Sequence, residues 1–321
     1  MQITPWDNKK TSCLISILPM TLKPIGYSNP PVSKKLWMAA IKPPMYSVAI
    51  MPIVLGTAVA YADAQTVNWE IFSIFLVSAV LILAWENISN DVFDSDTGID
   101  RHKAHSLVNL TGNRSLVFII GSLMLALGIS GVGAIAYLQQ DPTILGIILF
   151  CCFLGYLYQG PPFRLGYQGL GEILCFFSFG PLAVAAAYYS QTQSWSNTSL
   201  VASVILGIST TLVLFCSHFH QVDDDLAAGK RSPIVRLGTA KGSQILTLAT
   251  VSIFALTGIF VALRTLPVAT LLIFASFPVA LKLSRHVRTY HNQPTRISNS
   301  KFIAVALHFW SSILLSVGFL L

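Results

Sequence analysis

Apolar runs of about twenty residues recur along the chain, separated by short polar stretches. A run of that length spans the hydrocarbon core of a bilayer as a helix. Nine are present, near 45–62, 71–90, 116–138, 143–160, 171–190, 198–220, 245–264, 266–282 and 302–321. Lipid offers nothing to hydrogen-bond an open backbone, so each run is predicted to be helical. The expected fold is an all-α polytopic membrane protein of nine transmembrane helices over residues 34–321. Trp37 to Tyr46 reads as an interfacial helix or loop leading into the first span, broken at Lys42-Pro43-Pro44. Residues 1–33 are polar and rich in Pro, Ser and Lys, and read as a disordered extension. The apolar patch at 13–20 within them is too short to span.

Composition strengthens this picture. Only 10% of the 321 residues are charged and 54% are hydrophobic, where a soluble domain is nearer a quarter charged. Every Lys and Arg except Arg264 falls before the first span or in alternate loops after it. That bias places those loops on the cytoplasmic side. The net charge of +7 is therefore a topology signal, and nucleic-acid binding is a poor account of it. Of the five cysteines, Cys151, Cys152, Cys175 and Cys216 lie within apolar spans, and none has zinc spacing.

Acidic residues are expensive near lipid, yet seven of the thirteen gather in two places. The first is Asn90-Asp91-Val92-Phe93-Asp94-Ser95-Asp96, continuing to Gly98-Ile99-Asp100. The second is Gln221-Val222-Asp223-Asp224-Asp225. Both close even-numbered spans, so both emerge on one membrane face. On a helix, Asn87, Asn90, Asp91 and Asp94 share about 100° of arc, as do Gln221, Asp224 and Asp225. Asp96 and Asp223 point elsewhere, and Gly98 is expected to end its helix. Carboxylates accompanied by Asn and Gln oxygens suit a hard divalent cation, and Mg²⁺ is commonly held by one or two carboxylates plus substrate phosphates. Arg101, Lys103, Arg114, Lys230, Arg231 and Arg236 stand close by. Metal-binding acids beside phosphate-binding bases, in a lipid-exposed bundle, point to a lipid diphosphate. Solvated loops with paired charges are the plainer alternative, strongest for Asp96 and Asp223.

Asn90-Asp91-x-x-Asp94, the second Asp-rich helix end and the nine spans resemble the UbiA superfamily of intramembrane aromatic prenyltransferases. The resemblance covers the chain from about Lys34 onward. Gly98-x-Asp100, Tyr158-Gln159-Gly160-Pro161-Pro162-Phe163-Arg164, Gly169-Leu170-Gly171-Glu172 and Gly229-Lys230-x-Ser232-Pro233-x-Val235-Arg236-Leu237-Gly238 look like its MenA branch, which prenylates 1,4-dihydroxy-2-naphthoate in menaquinone or phylloquinone synthesis. The stretches 86–98 and 219–238 look most like the phytyl-transferring members of that branch. One departure is Gln221, where the superfamily's second motif begins with Asp.

The resemblance implies nine helices around a central cavity and an Mg²⁺-dependent alkylation. The metal set it implies is Asn90, Asp91, Asp94, Gln221, Asp224 and Asp225, with Asp91, Asp94 and Asp225 as the catalytic acids. Because of Gln221, the second site leans on Asp224 or Asp225. Lys103, Arg114, Lys230 and Arg236 would hold the diphosphate. Loss of pyrophosphate leaves an allylic cation, which the acceptor attacks at a carbon whose carboxylate departs as carbon dioxide. Asn87, Tyr156 and Tyr158 would line the substrate pocket, the tyrosines shielding the cation or forming an interfacial aromatic belt. Glu86 reads as an interhelical hydrogen-bond partner, and Glu172 as a helix cap or an orienting group. His218 and His220 flank the second cluster. The partners implied are a prenyl diphosphate, a naphthoate acceptor and membrane lipid, with no obligate protein partner. The membrane expected is a bacterial inner or thylakoid membrane with the site on its cytoplasmic face; a plastid membrane is the lesser alternative, a transit peptide in residues 1–33 being weakly supported because they lack an Arg-rich amphipathic pattern. Rival readings are a sister enzyme acting on homogentisate or 4-hydroxybenzoate, and a membrane transporter with acids near the midplane.

Overall fold

The computed structural model describes residues 34–99 and 103–321. The readings of residues 1–33, Asp100 and Arg101 lie outside them. Helix α1 (Lys34–Ile41) ends at Lys42, whose backbone is left-handed at φ 54°. The following Pro43 disfavours the right-handed helical region there, so the chain turns through a 3₁₀ turn at Pro43–Tyr46 into α2 (Ser47–Ala64). The break expected at Lys42-Pro43-Pro44 is present. Helix α3 (Trp69–Thr97) is capped by Asn68 and ended by Gly98 at φ 74°, the left-handed position glycine fills without strain. After the short α4 (Leu107–Thr111) come α5 (Arg114–Gln139) and α6 (Thr143–Gln159).

The fifth span is interrupted. Helix α7 (Gly171–Phe177) passes through a π-helical turn at Ser178–Leu182 before α8 (Ala183–Thr192). Pro181 lies in that turn, where its missing N–H cannot complete the α-helical ladder. Next come α9 (Asn197–His218), the short α10 (Val222–Ala227) and α11 (Pro233–Leu237), and α12 (Thr239–Ala262). The eighth span starts as a 3₁₀ segment, Val268–Ser276, and continues as α13 (Phe277–Tyr290). Helix α14 (Pro294–Ile297) leads to α15 (Ser300–Leu320).

Among the described residues there is no strand. Eight helical spans among the described residues are long and apolar enough to cross a membrane. The segment at Thr143–Gln159 is apolar but shorter, at 17 residues, so nine is an approximate count. Seventeen residues make about 26 Å of helix, close to the hydrocarbon thickness.

Consecutive spans pack in order around the bundle, and α15 packs on α2 to close it. Helices in lipid gain little from hydrophobicity and associate through close packing, which small residues favour. A Cβ on Gly180 would stand 2.9 Å from Gly207 Cα, so the π turn and α9 cross nearly backbone to backbone. One end of the bundle is tied by polar side chains. Tyr188 donates to Asp63 (2.8 Å), Tyr189 to Asp141 (2.7 Å), and Gln139 to the Ser190 carbonyl (2.7 Å). At the other end the loops after α3, α6 and α9 converge over a cavity.

Candidate active site

The cavity measures about 640 Å³, within the range of small-molecule sites. It lies beneath the end of α3, the start of α7 and the α9–α10 connection, and α1, α2, α6, α9 and α15 contribute to its walls. Asn87, Asn90 and Asp94 line it from α3, and Gln221, Asp224 and Asp225 line it from α10 and its N-terminus. The two acidic groups therefore do face one space, as their topology predicts. The second group does not close a long helix, however. Helix α9 ends at His218, and α10 begins a new direction after Gln221.

Asp91 stands apart. It is fully buried, and its carboxylate accepts from Lys103 Nζ (3.0 Å) and from the Leu107 N–H (2.9 Å), with Lys42 Nζ at 3.9 Å. It holds the loop after α3 and is not among the cavity's lining residues. Helical geometry explains the offset. On one edge of the expected arc, Asp91 meets the returning loop. About 40° beyond the opposite edge lies Glu86, which does line the cavity. The cavity face of α3 is rotated toward Glu86 relative to the face drawn through the acids.

Asp94 is positioned by Tyr167 in the loop between α6 and α7, whose hydroxyl donates to it at 2.9 Å and lies 2.8 Å from Thr97 Oγ1. Burial, and then the charge of Asp94, push the Tyr167 phenol above its ordinary range, so it remains a donor. Asp225 is fully buried between His218 Nδ1 (3.4 Å) and Lys230 Nζ (3.3 Å). Burial pushes its carboxyl up, but the close approach of His218 and the charge of Lys230 outweigh this and hold it below the usual carboxylate range. His218 in turn meets Glu172 Oε1 at 3.3 Å. Glu172 thus orients an imidazole that orients an acid. These are long contacts, and both Asp225 oxygens lack a well-formed hydrogen bond.

Of the four bases expected at a diphosphate, Lys103 and Lys230 line the cavity. Arg114 instead forms a bidentate pair with Asp96 at the exposed surface (2.8 and 2.7 Å). Arg236 donates to the carbonyls of Arg231 (3.0 Å) and Gln168, stapling two loops together. Both arginines are satisfied locally before they can reach inward. Lys42 and Lys301 take up cavity positions that sequence reasoning did not assign. They come from the ends of helices remote in sequence, so no local motif announces them. Their positive field is felt by the neighbouring histidines. Burial first, then Lys103, Lys42 and Lys301, lower the basicity of His105. Burial and Lys301 bring His220 down to about 4. A mouth so charged attracts an anion.

Tyr158 lines the cavity. Tyr156 does not; its hydroxyl donates to the Pro161 carbonyl (2.6 Å) and its ring packs edge-on against Phe93. The interhelical bond at Glu86 uses its main-chain oxygen, which accepts from Gln159 Nε2 at 3.0 Å.

No three acidic, histidine or cysteine side chains among the described residues converge to hold a metal by themselves. The donors that share the cavity are hard oxygens: Asp94, Asp224 and Asp225, with Asn90 and Gln221. The unsatisfied Asp225 oxygens fit an oxygen-seeking cation whose coordination a phosphate would complete.

Residues 49–313 match the model of the UbiA prenyltransferase family. The chain is 59% identical to the 2-carboxy-1,4-naphthoquinone phytyltransferase of Synechocystis sp., over 92% of this chain and 96% of that one. It is 40% identical to the chloroplastic protein of the same name from Arabidopsis thaliana, over 90% of this chain and 77% of that one. In fold it is similar to a UbiA homolog from Archaeoglobus fulgidus bound to GPP and Mg²⁺, with a TM-score of 0.57 at 14% identity, covering 88% of this chain and 99% of that one. The chain is an integral membrane protein and belongs to the UbiA prenyltransferase family.

Proposed function

We propose that this protein transfers a prenyl group, phytyl by its similarity to the Synechocystis protein, from the diphosphate to 1,4-dihydroxy-2-naphthoate, with loss of the acceptor's carboxylate as carbon dioxide. The observation that carries this reading is the shared cavity. Acids from α3 and α10 and the four lysines Lys42, Lys103, Lys230 and Lys301 meet at its mouth, above apolar walls that include Leu83, Phe179 and Leu214.

In this reading Lys103, Lys230, Lys42 and Lys301 hold the diphosphate oxygens. Asn90, Asp94, Gln221, Asp224 and Asp225 would hold Mg²⁺, which when bound stabilises negative charge on the leaving group. Tyr167 and His218 keep Asp94 and Asp225 aimed at the cavity. Asp91 acts through Lys103, which it anchors. Tyr158 and Phe179 keep water from the reacting carbon. Arg114 and Arg236 support the surrounding loops. The lysine-rich face is the cytoplasmic one, in a bacterial inner or thylakoid membrane.

The test is an assay of detergent-purified protein with phytyl diphosphate, 1,4-dihydroxy-2-naphthoate and Mg²⁺. Prenylated quinol and carbon dioxide are expected in equal amounts, and a chelator should abolish both. Product from homogentisate or 4-hydroxybenzoate but not from the naphthoate would move the acceptor to a sister class. Absence of product from folded protein with any prenyl diphosphate and acceptor would remove the reading.

A further inference from the structure

The roles assigned above leave one carboxylate of the cavity unused. Glu86 lies on α3 one turn deeper than Asn90, and about 12 Å along the axis from Asp94. It lines both the main cavity and a narrow apolar pocket of about 70 Å³ that continues inward between α2, α3 and α6. Its neighbours there include Leu83, Cys151, Gly155 and Phe179. Among the described residues no cation pairs with its carboxylate and no hydrogen bond satisfies it. The structure nevertheless holds it in place. Gln159 Nε2 donates to the Glu86 carbonyl and to Ser89 Oγ, each at 3.0 Å. A Cβ on Gly155 would stand 3.3 Å from Glu86 Oε1, so the glycine leaves the carboxylate its room. An unpaired acid within a membrane span is costly, and such residues characteristically serve function.

We propose that Glu86 is the general base of the transfer, taking the proton of the acceptor hydroxyl next to the attacked carbon. This rests on the reading given under Proposed function. With the diphosphate at the lysines of the mouth, the reacting carbon and the acceptor ring fall deeper, toward Glu86. Other bases are placed less well. His218 is engaged by Glu172 and Asp225, and His105 and His220 lie outside the spans, near Lys301. Cys151 in the narrow pocket and Tyr158 and Cys175 in the main cavity carry a thiol or phenol proton at neutral pH and are donors.

The step balances. The ring carbon bearing the carboxylate bonds to the allylic carbon, whose bond to the diphosphate oxygen breaks with its electron pair on the leaving oxygen. The neighbouring O–H bond breaks, its proton passes to Glu86, and its electron pair forms a ketone, giving a β-keto carboxylate. The bond to the carboxylate carbon then breaks, releasing carbon dioxide. Its electron pair returns the ring to aromaticity, and Glu86 gives the proton back to the oxygen. The base is regenerated in each turnover.

The test compares wild type, Glu86→Gln and Glu86→Asp with two acceptors, 1,4-dihydroxy-2-naphthoate and a ring-halogenated analogue whose hydroxyls are more acidic. Glu86→Gln should lower kcat roughly 10²–10⁴-fold on the first acceptor, with KM for the diphosphate little changed. The loss should shrink by about tenfold on the halogenated acceptor, whose proton leaves with less help. Wild-type turnover in Glu86→Gln overturns the proposal, as does an equal loss on both acceptors, which would mark Glu86 as a stabiliser of cationic charge. If Glu86→Gln fails to fold by thermal melting, Glu86→Asp carries the same comparison. Its misplaced carboxylate should cost about tenfold in kcat, again relieved by the acidic acceptor, and an unrelieved loss overturns the proposal. If wild type makes no product, the functional reading fails and this inference falls with it; a working wild type beside an unimpaired variant removes the inference alone.

Discussion

Asp91 and Asp225 are both fully buried acids beside a lysine, and they are held in opposite ways. Asp91 has a 3.0 Å bond from Lys103 and a backbone N–H on its second oxygen. Asp225 has long contacts to His218 and Lys230, with Ser232 also near, no well-formed bond on either oxygen, and a place on the cavity wall. A buried carboxylate with its bonds complete stabilises the fold. One held in place but left short of partners keeps bonding capacity for a ligand, at a cost in desolvation. Burial and charge alone do not separate the two cases. Hydrogen-bond completion does.

The largest expected effect falls on the less satisfied acid. Asp225→Asn should reduce turnover by roughly 10²–10³-fold and raise the Mg²⁺ concentration needed for half activity, while thermal melting stays near that of wild type. Equal destabilisation in Asp225→Asn and Asp91→Asn would erase the contrast between them. Next comes Asp91→Asn, which should lose about 2–3 kcal/mol of stability, the worth of hydrogen bonds to a charged group, read from the melting transition of the detergent-solubilised protein. Should it melt like wild type while its Mg²⁺ requirement rises, Asp91 leaves Lys103 to ligate the metal, and the anchoring role is wrong.

Tyr167→Phe removes the hydroxyl that aims Asp94. About 1 kcal/mol of positioning energy is at stake, so kcat/KM should fall by about fivefold. An unchanged kcat/KM would mean that Asp94 needs no orienting group. The smallest effect belongs to Arg114→Ala. Its partner Asp96 is partly exposed, and surface pairs contribute less than about 1 kcal/mol. Prenyl diphosphate affinity should therefore be unchanged, and a tenfold loss would return Arg114 to the binding site.

Much of the architecture was legible because membrane helices are written in long runs. The spans, the helix end at Gly98, the break at Lys42 and the common face of the two clusters follow from hydropathy, helix-capping chemistry and charge bias. The exclusion of Asp96 and Asp223 from the site follows from helical periodicity. The second cluster was harder to place because a change of chain direction at 219–221 leaves no apolar signature.

By itself, the sequence determined that this is a bundle of membrane helices with two acidic groups on one side, since the bilayer imposes run length, backbone satisfaction and charge asymmetry residue by residue. Only the tertiary structure decided which members of those groups reach the cavity. Asp91 turns to a loop that returns over α3, Arg114 and Arg236 are satisfied by neighbours outside the cavity, and Lys42 and Lys301 enter from opposite ends of the chain. Glu86 faces the cavity because α6 presents a glycine to it. Each outcome depends on what another segment places within hydrogen-bonding reach, which no local pattern records.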